Sequence, residues 1–337
     1  MNKKKIVFIL GGLFLILMIV FFVYKNKQED VVVDVAEDVA EDKIGITTSF
    51  YPIYFLTSEI GGDLVNVENL TPAGSEPHDY ELTAQDIVKI RKSQILFLNG
   101  GGLEVWSRNL NSMVGAGEPV VVVLGDGLME LGLSEPHEHE DEVGEEGQLE
   151  QGDASDHSDE EHAKDPHIWL SPALAVKMAE KIASELGRVD SKNYDYYKSN
   201  LNTLKTRLFE LDNEYKLGLS NCKKKDFVTS HSAFGYLANE YNLRQISVAG
   251  ISPEEEPSPR QLSKVAQFAR ENEVKYIFFE SLISPRLSEV VANEIGAKTL
   301  VLNPIEGLTE EEIALGKNYI TEMKANLENL KIALECD

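Results

Sequence analysis

The chain has 337 residues, 42% of them hydrophobic, enough to bury at least one substantial core, and the usual size of a domain favours two. A formal net charge of −25 repels a phosphate backbone and sets nucleic acid aside as a partner. The acidic excess is local: residues 29–42 hold seven acids and no base, residues 135–165 hold fourteen acids against Lys164 alone, and the rest carries 36 acids and 31 bases.

Lys3, Lys4 and Lys5 precede a run over residues 6–24 of apolar, glycine and tyrosine side chains only. A helix of that length, at ~1.5 Å per residue, approaches the ~30 Å hydrocarbon core of a bilayer. Residues 1–28 therefore read as a retained membrane anchor, with a cleaved signal peptide as the alternative. No small-x-small cleavage pattern follows the run, and no cysteine near its end is placed to take a lipid. The lysines ahead of the span put the N-terminus in the cytoplasm and the rest of the chain outside. Residues 29–43 read as an acidic tether.

Order begins at Ile44. Strands are expected at 44–50, 64–70, 95–98 and 120–124, with helices at 52–60, opened by Pro52, at 84–92, capped by Thr83, and at 103–111. This alternation predicts a parallel sheet clothed on both faces, forming an N-terminal α/β lobe over residues 44–189. Residues 134–164 interrupt it with His137, His139, His157 and His162 among acids and glycines, a composition that predicts a disordered loop. A helix over 173–186 follows, then a long linking helix within residues 190–219, where Tyr197, Leu201, Leu204, Leu208 and Leu211 recur in steps of three and four. The C-terminal α/β lobe, residues 220–337, repeats the alternation. Its strands are expected at 226–230, 245–249, 275–280 and 298–303, and its helices at 233–241, 259–271, 285–295 and from Thr309 toward residue 330. The fold class is thus α/β, two (β/α) lobes with parallel sheets joined by a long helix. Cys222 and Cys336, in an exported chain, either pair and fasten the last helix to this lobe or remain two thiols.

His78, His167, His231 and Glu306 share a setting: each follows an expected strand or sits in a proline-marked loop. In open parallel sheets, ligands bind beyond the carboxyl ends of the strands, and two lobes facing each other there form a cleft. Three imidazoles and one carboxylate suit a borderline cation in tetrahedral geometry, which points to Zn²⁺ over manganese. Four protein ligands close the coordination sphere and leave no place for an activated water, which argues against an enzyme. Taken singly, each histidine also reads as a structural hydrogen bonder and Glu306 as a first-turn acid on a helix dipole. Asp79, Asp165 and Glu280 are placed to orient the imidazoles or to form surface pairs.

Five stretches carry a resemblance: Ser49-Phe50-Tyr51-Pro52, Glu76-Pro77-His78-Asp79-Tyr80-Glu81, Asp165-Pro166-His167-Ile168-Trp169-Leu170-Ser171-Pro172, His231-Ser232-Ala233-Phe234-Gly235-Tyr236 and Leu302-Asn303-Pro304-Ile305-Glu306-Gly307-Leu308-Thr309. Together with Gly250-Ile251-Ser252-Pro253 and Glu256-Pro257-Ser258-Pro259, they resemble the signature segments of zinc-binding receptors of ABC transporters, in order, from about Ile44 to Leu330. The resemblance implies a rigid connecting helix, modest closure, and a metal site in the interlobe cleft with His78, His167, His231 and Glu306 as ligands. It implies a monomeric receptor that delivers Zn²⁺ to a membrane permease. Members that prefer manganese usually show a carboxylate where His231 stands. Many Gram-positive members are lipoproteins, whereas this chain lacks the lipidated cysteine. No Walker motif is present, so the ATPase is a separate subunit. The histidine-bearing tract matches the variable loop of this group and reads either as a weak zinc scavenger or as a solvated linker. A manganese or iron receptor, a metal-binding surface adhesin, and a zinc hydrolase with Glu280 as its base stand as alternatives.

Overall fold

The computed structural model describes residues 43–115, 119–131 and 164–337. The expected anchor, the tether apart from Lys43 and the histidine-bearing loop apart from Lys164 lie outside them. Among the described residues no helix is long and apolar enough to cross a membrane.

The N-terminal lobe runs β1 (Ile44–Thr48), α1 (Tyr51–Gly61), β2 (Val65–Asn69), α2 (Ala84–Lys92), β3 (Ile95–Leu98), α3 (Leu110–Val114) and β4 (Val120–Val123). Its sheet has the order β2-β1-β3-β4, every pair parallel, with Ile44 opposite Val65 and Ile95 opposite Val120. The apolar run of β4 reads as buried core, yet Val120 and Val121 are exposed, because β4 is the edge of the sheet. The expected helix at 103–111 is instead a 3₁₀ turn, Val105–Asn109, followed by α3. Glu104, at its cap position, has its side chain turned inward to accept from Ser49 Oγ and the Asn99 and Gly100 amides, so the first turn has no side-chain cap and tightens.

Two helices then cross the molecule, α4 (Pro172–Val189) and α5 (Tyr194–Gly218). Ser171 caps α4 by accepting from the Leu174 amide, and Pro172 suits its first turn. The 25 residues of α5 span about 37 Å at the standard rise. Along it Tyr197, Leu204, Leu208, Leu211 and Tyr215 are buried at helical spacing. It packs on α1 and α4 at one end and on the C-terminal helix at the other, where Tyr215 donates to the Met323 carbonyl at 2.7 Å.

The C-terminal lobe repeats the plan: β5 (Asp226–Thr229), α6 (Gly235–Glu240), β6 (Arg244–Ser247), α7 (Pro259–Glu271), β7 (Tyr276–Phe279), α8 (Arg286–Ile295), β8 (Lys298–Val301), α9 (Glu310–Ala314) and α10 (Tyr319–Ala333). Its parallel sheet has the order β6-β5-β7-β8. Where one terminal helix is expected from Thr309 onward, there are two. Gly316 at φ +77° ends the first, and Asn318 starts the second with a capping box to Thr321.

The largest apolar cluster ignores the lobe boundary. Phe50, Phe55 and Trp169 from the first half belong to it together with Phe234, Ile305 and Tyr319 from the second, and the Phe55 and Tyr319 rings stack 5.5 Å apart. A shared core resists wide hinge motion, because opening exposes apolar area.

Cys222 and Cys336 form a disulfide across 114 residues, beside backbone bonds from the Lys223 and Lys224 amides to Glu335 and Leu334. Closing so long a loop stabilises the fold by about 5 kcal/mol in the chain-entropy view. Reduction, or Cys336→Ser, is expected to lower the melting temperature measured by circular dichroism by several degrees. Metal affinity should stay within about twofold, because the bridge lies before β5 and His231 follows that strand's far end. An equal loss of metal binding would contradict this separation of the two ends.

Candidate metal centre

Each element order places its chain reversal between its two central strands, β1 and β3 in one lobe and β5 and β7 in the other. Loops from the carboxyl ends converge there. His78 comes from the loop after β2, His167 from the loop entering α4, His231 from the end of β5 and Glu306 from the loop after β8. The Gly74 amide donates to the Leu308 carbonyl at 3.0 Å and ties the His78 loop to the Glu306 loop across the lobes.

His167 is held on three sides. Its amide and its Nδ1 lie 2.9 and 2.7 Å from Asp165 Oδ1. Asn99, at the end of β3, donates through Nδ2 to the Pro166 carbonyl at 2.9 Å, and the Asn99 amide donates to Glu104. Burial pushes the Glu104 carboxyl up, against the hydrogen bonds from Ser49, Asn99 and Gly100 that favour its charge. His231 is held likewise. Its Nδ1 is 2.5 Å from Glu280 Oε1, Ser230 Oγ bonds the same oxygen, and its carbonyl accepts from Thr229 Oγ1 and Gln245 Nε2. A carboxylate on Nδ1 fixes the proton there and turns the Nε2 lone pair inward. Asp165 and Glu280 thus take the orienting role. Asp79 is exposed and makes no hydrogen bond to these imidazoles among the described residues.

The inward nitrogens meet one oxygen. Glu306 Oε1 lies 3.3 Å from His78 Nε2, 3.2 Å from His167 Nε2 and 3.6 Å from His231 Nε2, and the first two nitrogens are 3.3 Å apart. One ligand atom from each of the four residues falls within 4.8 Å of the others. His231 Nε2 and both Glu306 oxygens are buried without a hydrogen-bond partner. Orphaned buried polar atoms facing each other are costly unless a cation lies among them. Zinc bonds of ~2.0–2.1 Å give a tetrahedron with edges of about 3.3–3.4 Å, close to the four separations of 3.2–3.6 Å just given.

The electrostatics agree with a cation's place. Burial alone lowers His167 and His231, but Asp165 with Glu306 outweighs it at the first and Glu280 with Glu306 at the second, so both stay above the ordinary histidine range. Burial raises Glu306, yet the facing imidazoles of His167, His231 and His78 hold it well below the usual carboxylate range. The carboxyl groups of Asp165, Glu280 and Glu306 thus surround the three imidazoles, a setting that favours a dication among them. Glu76 is a further member that the sequence reading left without a role. Burial, then the charge of Glu306, push it up to about 9, and its Oε1 accepts from the His78 amide at 3.2 Å. Its neutral carboxyl adds no negative charge at neutral pH. Access is from one side. The side chains of His167, His231 and Glu306 are 0–1% exposed and that of His78 is 7% exposed, beside a cavity of about 430 Å³ lined by His78, Tyr80 and Trp106.

Two parallel-sheet lobes around a buried three-imidazole, one-carboxylate cluster define a metal-ion receptor of the solute-binding class and not an enzyme. Glu280, the base that the hydrolase alternative invokes, is bonded to His231 and Ser230. The chain belongs to the ZnuA family, zinc-uptake complex component A, periplasmic, whose family model matches residues 46–333. It is 40% identical over 295 residues to the high-affinity zinc uptake system protein ZnuA of Bacillus subtilis, covering 87% of this chain and 88% of that protein. It is 36% identical over 335 residues to the zinc-binding protein AdcA of Streptococcus pyogenes, where it spans 99% of its own length and 62% of AdcA's. Among solved structures it resembles the laminin-binding protein Lmb of Streptococcus agalactiae, described as a bifunctional protein with adhesin and metal transporting activity. The TM-score is 0.72 with 31% identity, covering 87% of this chain and all of that one.

Proposed function

We propose that this chain captures Zn²⁺ outside the cytoplasm through His78, His167, His231 and Glu306, and delivers it to an ABC permease driven by a separate ATPase subunit. The observation that carries this reading is the convergence of three Nε2 atoms on one buried carboxylate oxygen at tetrahedral spacing. Zinc is the cargo: four protein ligands hold it closed, and no water is activated. The apolar run at residues 6–24 anchors the receptor on the outer face of the membrane, and the receptor acts as a monomer. The hand-over uses the His78 side, the least buried of the four, where the coordination sphere opens first.

The test is calorimetric titration of zinc, then manganese, into the metal-stripped full chain in detergent. One tight zinc site per chain and manganese weaker by at least about a hundredfold are expected, since three imidazoles disfavour the harder ion. No tight zinc site, or manganese bound as well as zinc, would sink the reading. The likeness to Lmb favours one further role, adhesion. Saturable binding of the full chain to immobilised laminin would place that role beside metal capture.

A further inference from the structure

Among the described residues, four non-glycine residues have positive φ: Asn242, Glu273, Ile305 and Glu335. Three of them lie two residues past the ends of α6, α7 and α10, where a left-handed residue is an ordinary helix terminator. Ile305 is different. It is β-branched, fully buried, held at φ +59°, and immediately precedes Glu306. A β-branched residue stays in that basin only where its surroundings over-determine it.

Those surroundings can be named. The Ile305 amide donates to Asn303 Oδ1 at 2.8 Å. Asn326 grips Asn303 from α10, accepting from its amide at 2.8 Å and donating to its carbonyl at 2.6 Å. The remaining group of this turn, the Pro304 carbonyl, accepts from Trp169 Nε1 at 2.7 Å, and the Trp169 carbonyl accepts from Tyr319 Oη at 2.5 Å. Trp169 is two residues from His167 in the same 3₁₀ turn and packs edge-on against Phe50, with ring centroids 4.6 Å apart. One indole N–H therefore joins the turn that carries His167 to the turn that carries Glu306, across the lobe boundary.

We infer that Trp169 is a positioning residue for metal selection: through the Pro304 carbonyl it keeps Ile305 left-handed and so holds Glu306 Oε1 at a tetrahedral edge from His167 before any ion arrives. Relaxation of Ile305 to negative φ rotates the chain on either side and carries the carboxylate off the imidazole nitrogens. The spacing is then free to widen toward the larger coordination shells that manganese accepts. This inference rests on the zinc-receptor reading above.

The experiment compares the full chain with Trp169→Phe, which keeps a ring against Phe50 but removes the N–H together with part of the buried indole's volume. Zinc and manganese affinities, the visible spectrum of the Co²⁺-loaded protein, and the melt of the metal-free protein are recorded. Expected for Trp169→Phe are a loss of zinc affinity of about tenfold or more, a smaller zinc-to-manganese ratio and weakened tetrahedral cobalt bands. Adding Ile305→Gly, for which positive φ is no strain, should restore part of the zinc affinity although it empties the space of a fully buried side chain and lowers the melt. If Trp169→Phe moves only the melt and leaves the ratio and the cobalt bands unchanged, the tryptophan is merely structural and the inference is overturned. Should the double variant fail to fold, the cobalt spectrum of the single variant decides by itself. A wild-type chain with no tight zinc site would overturn the receptor reading and this inference with it. Intact zinc binding in wild type with an indifferent Trp169→Phe would overturn the inference alone.

Discussion

His231→Ala is expected to weaken zinc binding by at least about a hundredfold. Structural zinc sites gain ~10–16 kcal/mol from four ligands, so one ligand in four is worth roughly 3 kcal/mol, or about two decades. The substitution has a second effect that must be kept apart from the first. Glu280 is 3% exposed, and its oxygen Oε1 lies against His231 Nδ1 and Ser230 Oγ. Removing the imidazole leaves a buried carboxylate with the serine alone, which costs about 3–5 kcal/mol of fold stability when a buried pair is broken from one side. The double variant His231→Ala/Glu280→Gln removes the orphaned charge. It should recover much of the melting temperature and none of the zinc affinity. Calorimetric titration beside thermal melts of the three proteins separates the effects. A zinc affinity in His231→Ala within threefold of wild type would exclude His231 as a ligand and, with it, the tetrahedral site.

Much of this architecture was legible because its signals are local. Strand-length apolar runs between helices announce a parallel sheet whatever the tertiary context, and Thr83 at the start of α2 is a cap that a sequence states outright. That His78, His167, His231 and Glu306 would come together was legible less from their placement, which taken singly also fits structural hydrogen bonders, than from the motifs that resemble the receptors' signature segments. The remaining features depend on long-range contacts. Whether Val120 and Val121 are buried turns on which strand lies outside β4. The break between α9 and α10 turns on how strongly Gly316 and Asn318 act within an otherwise helical pattern. Glu76 and Trp169 sit inside recognisable motifs, but their roles arise from partners about 230 and 135 residues away, Glu306 and Pro304. The left-handed Ile305 has no signal in the sequence, since nothing about isoleucine predicts positive φ. Of the three acids placed to orient imidazoles, only geometry separates Asp165 and Glu280 from the exposed Asp79.

Zinc affinity is expected to rise with pH by up to about a hundredfold per unit, with about two protons released per ion. Zinc binds neutral imidazole, and in the metal-free protein His167 and His231 are both held above the ordinary histidine range. Burial opposes this, but Asp165 with Glu306 prevails at the first and Glu280 with Glu306 at the second. Each proton displaced contributes one decade of affinity per pH unit until the raised folded pKa is passed. The stability of the metal-free protein runs the other way. A raised histidine contributes fully below its unfolded pKa of about 6.5 and loses that contribution as pH climbs through the folded value. Glu306, held low, contributes above its unfolded value of about 4.3 and loses it as pH falls through its folded one. The metal-free receptor is therefore most stable between about pH 4.5 and 6.5 and weakens on the alkaline side, where zinc binds best and stabilises most. Melts across that range with and without zinc should diverge as pH rises, and titrations in buffers of different ionisation enthalpy should count the two protons. A proton count near zero with an affinity flat across this range would mean that the imidazoles stand neutral before the metal arrives, and that the three carboxylates are balanced by some other positive group.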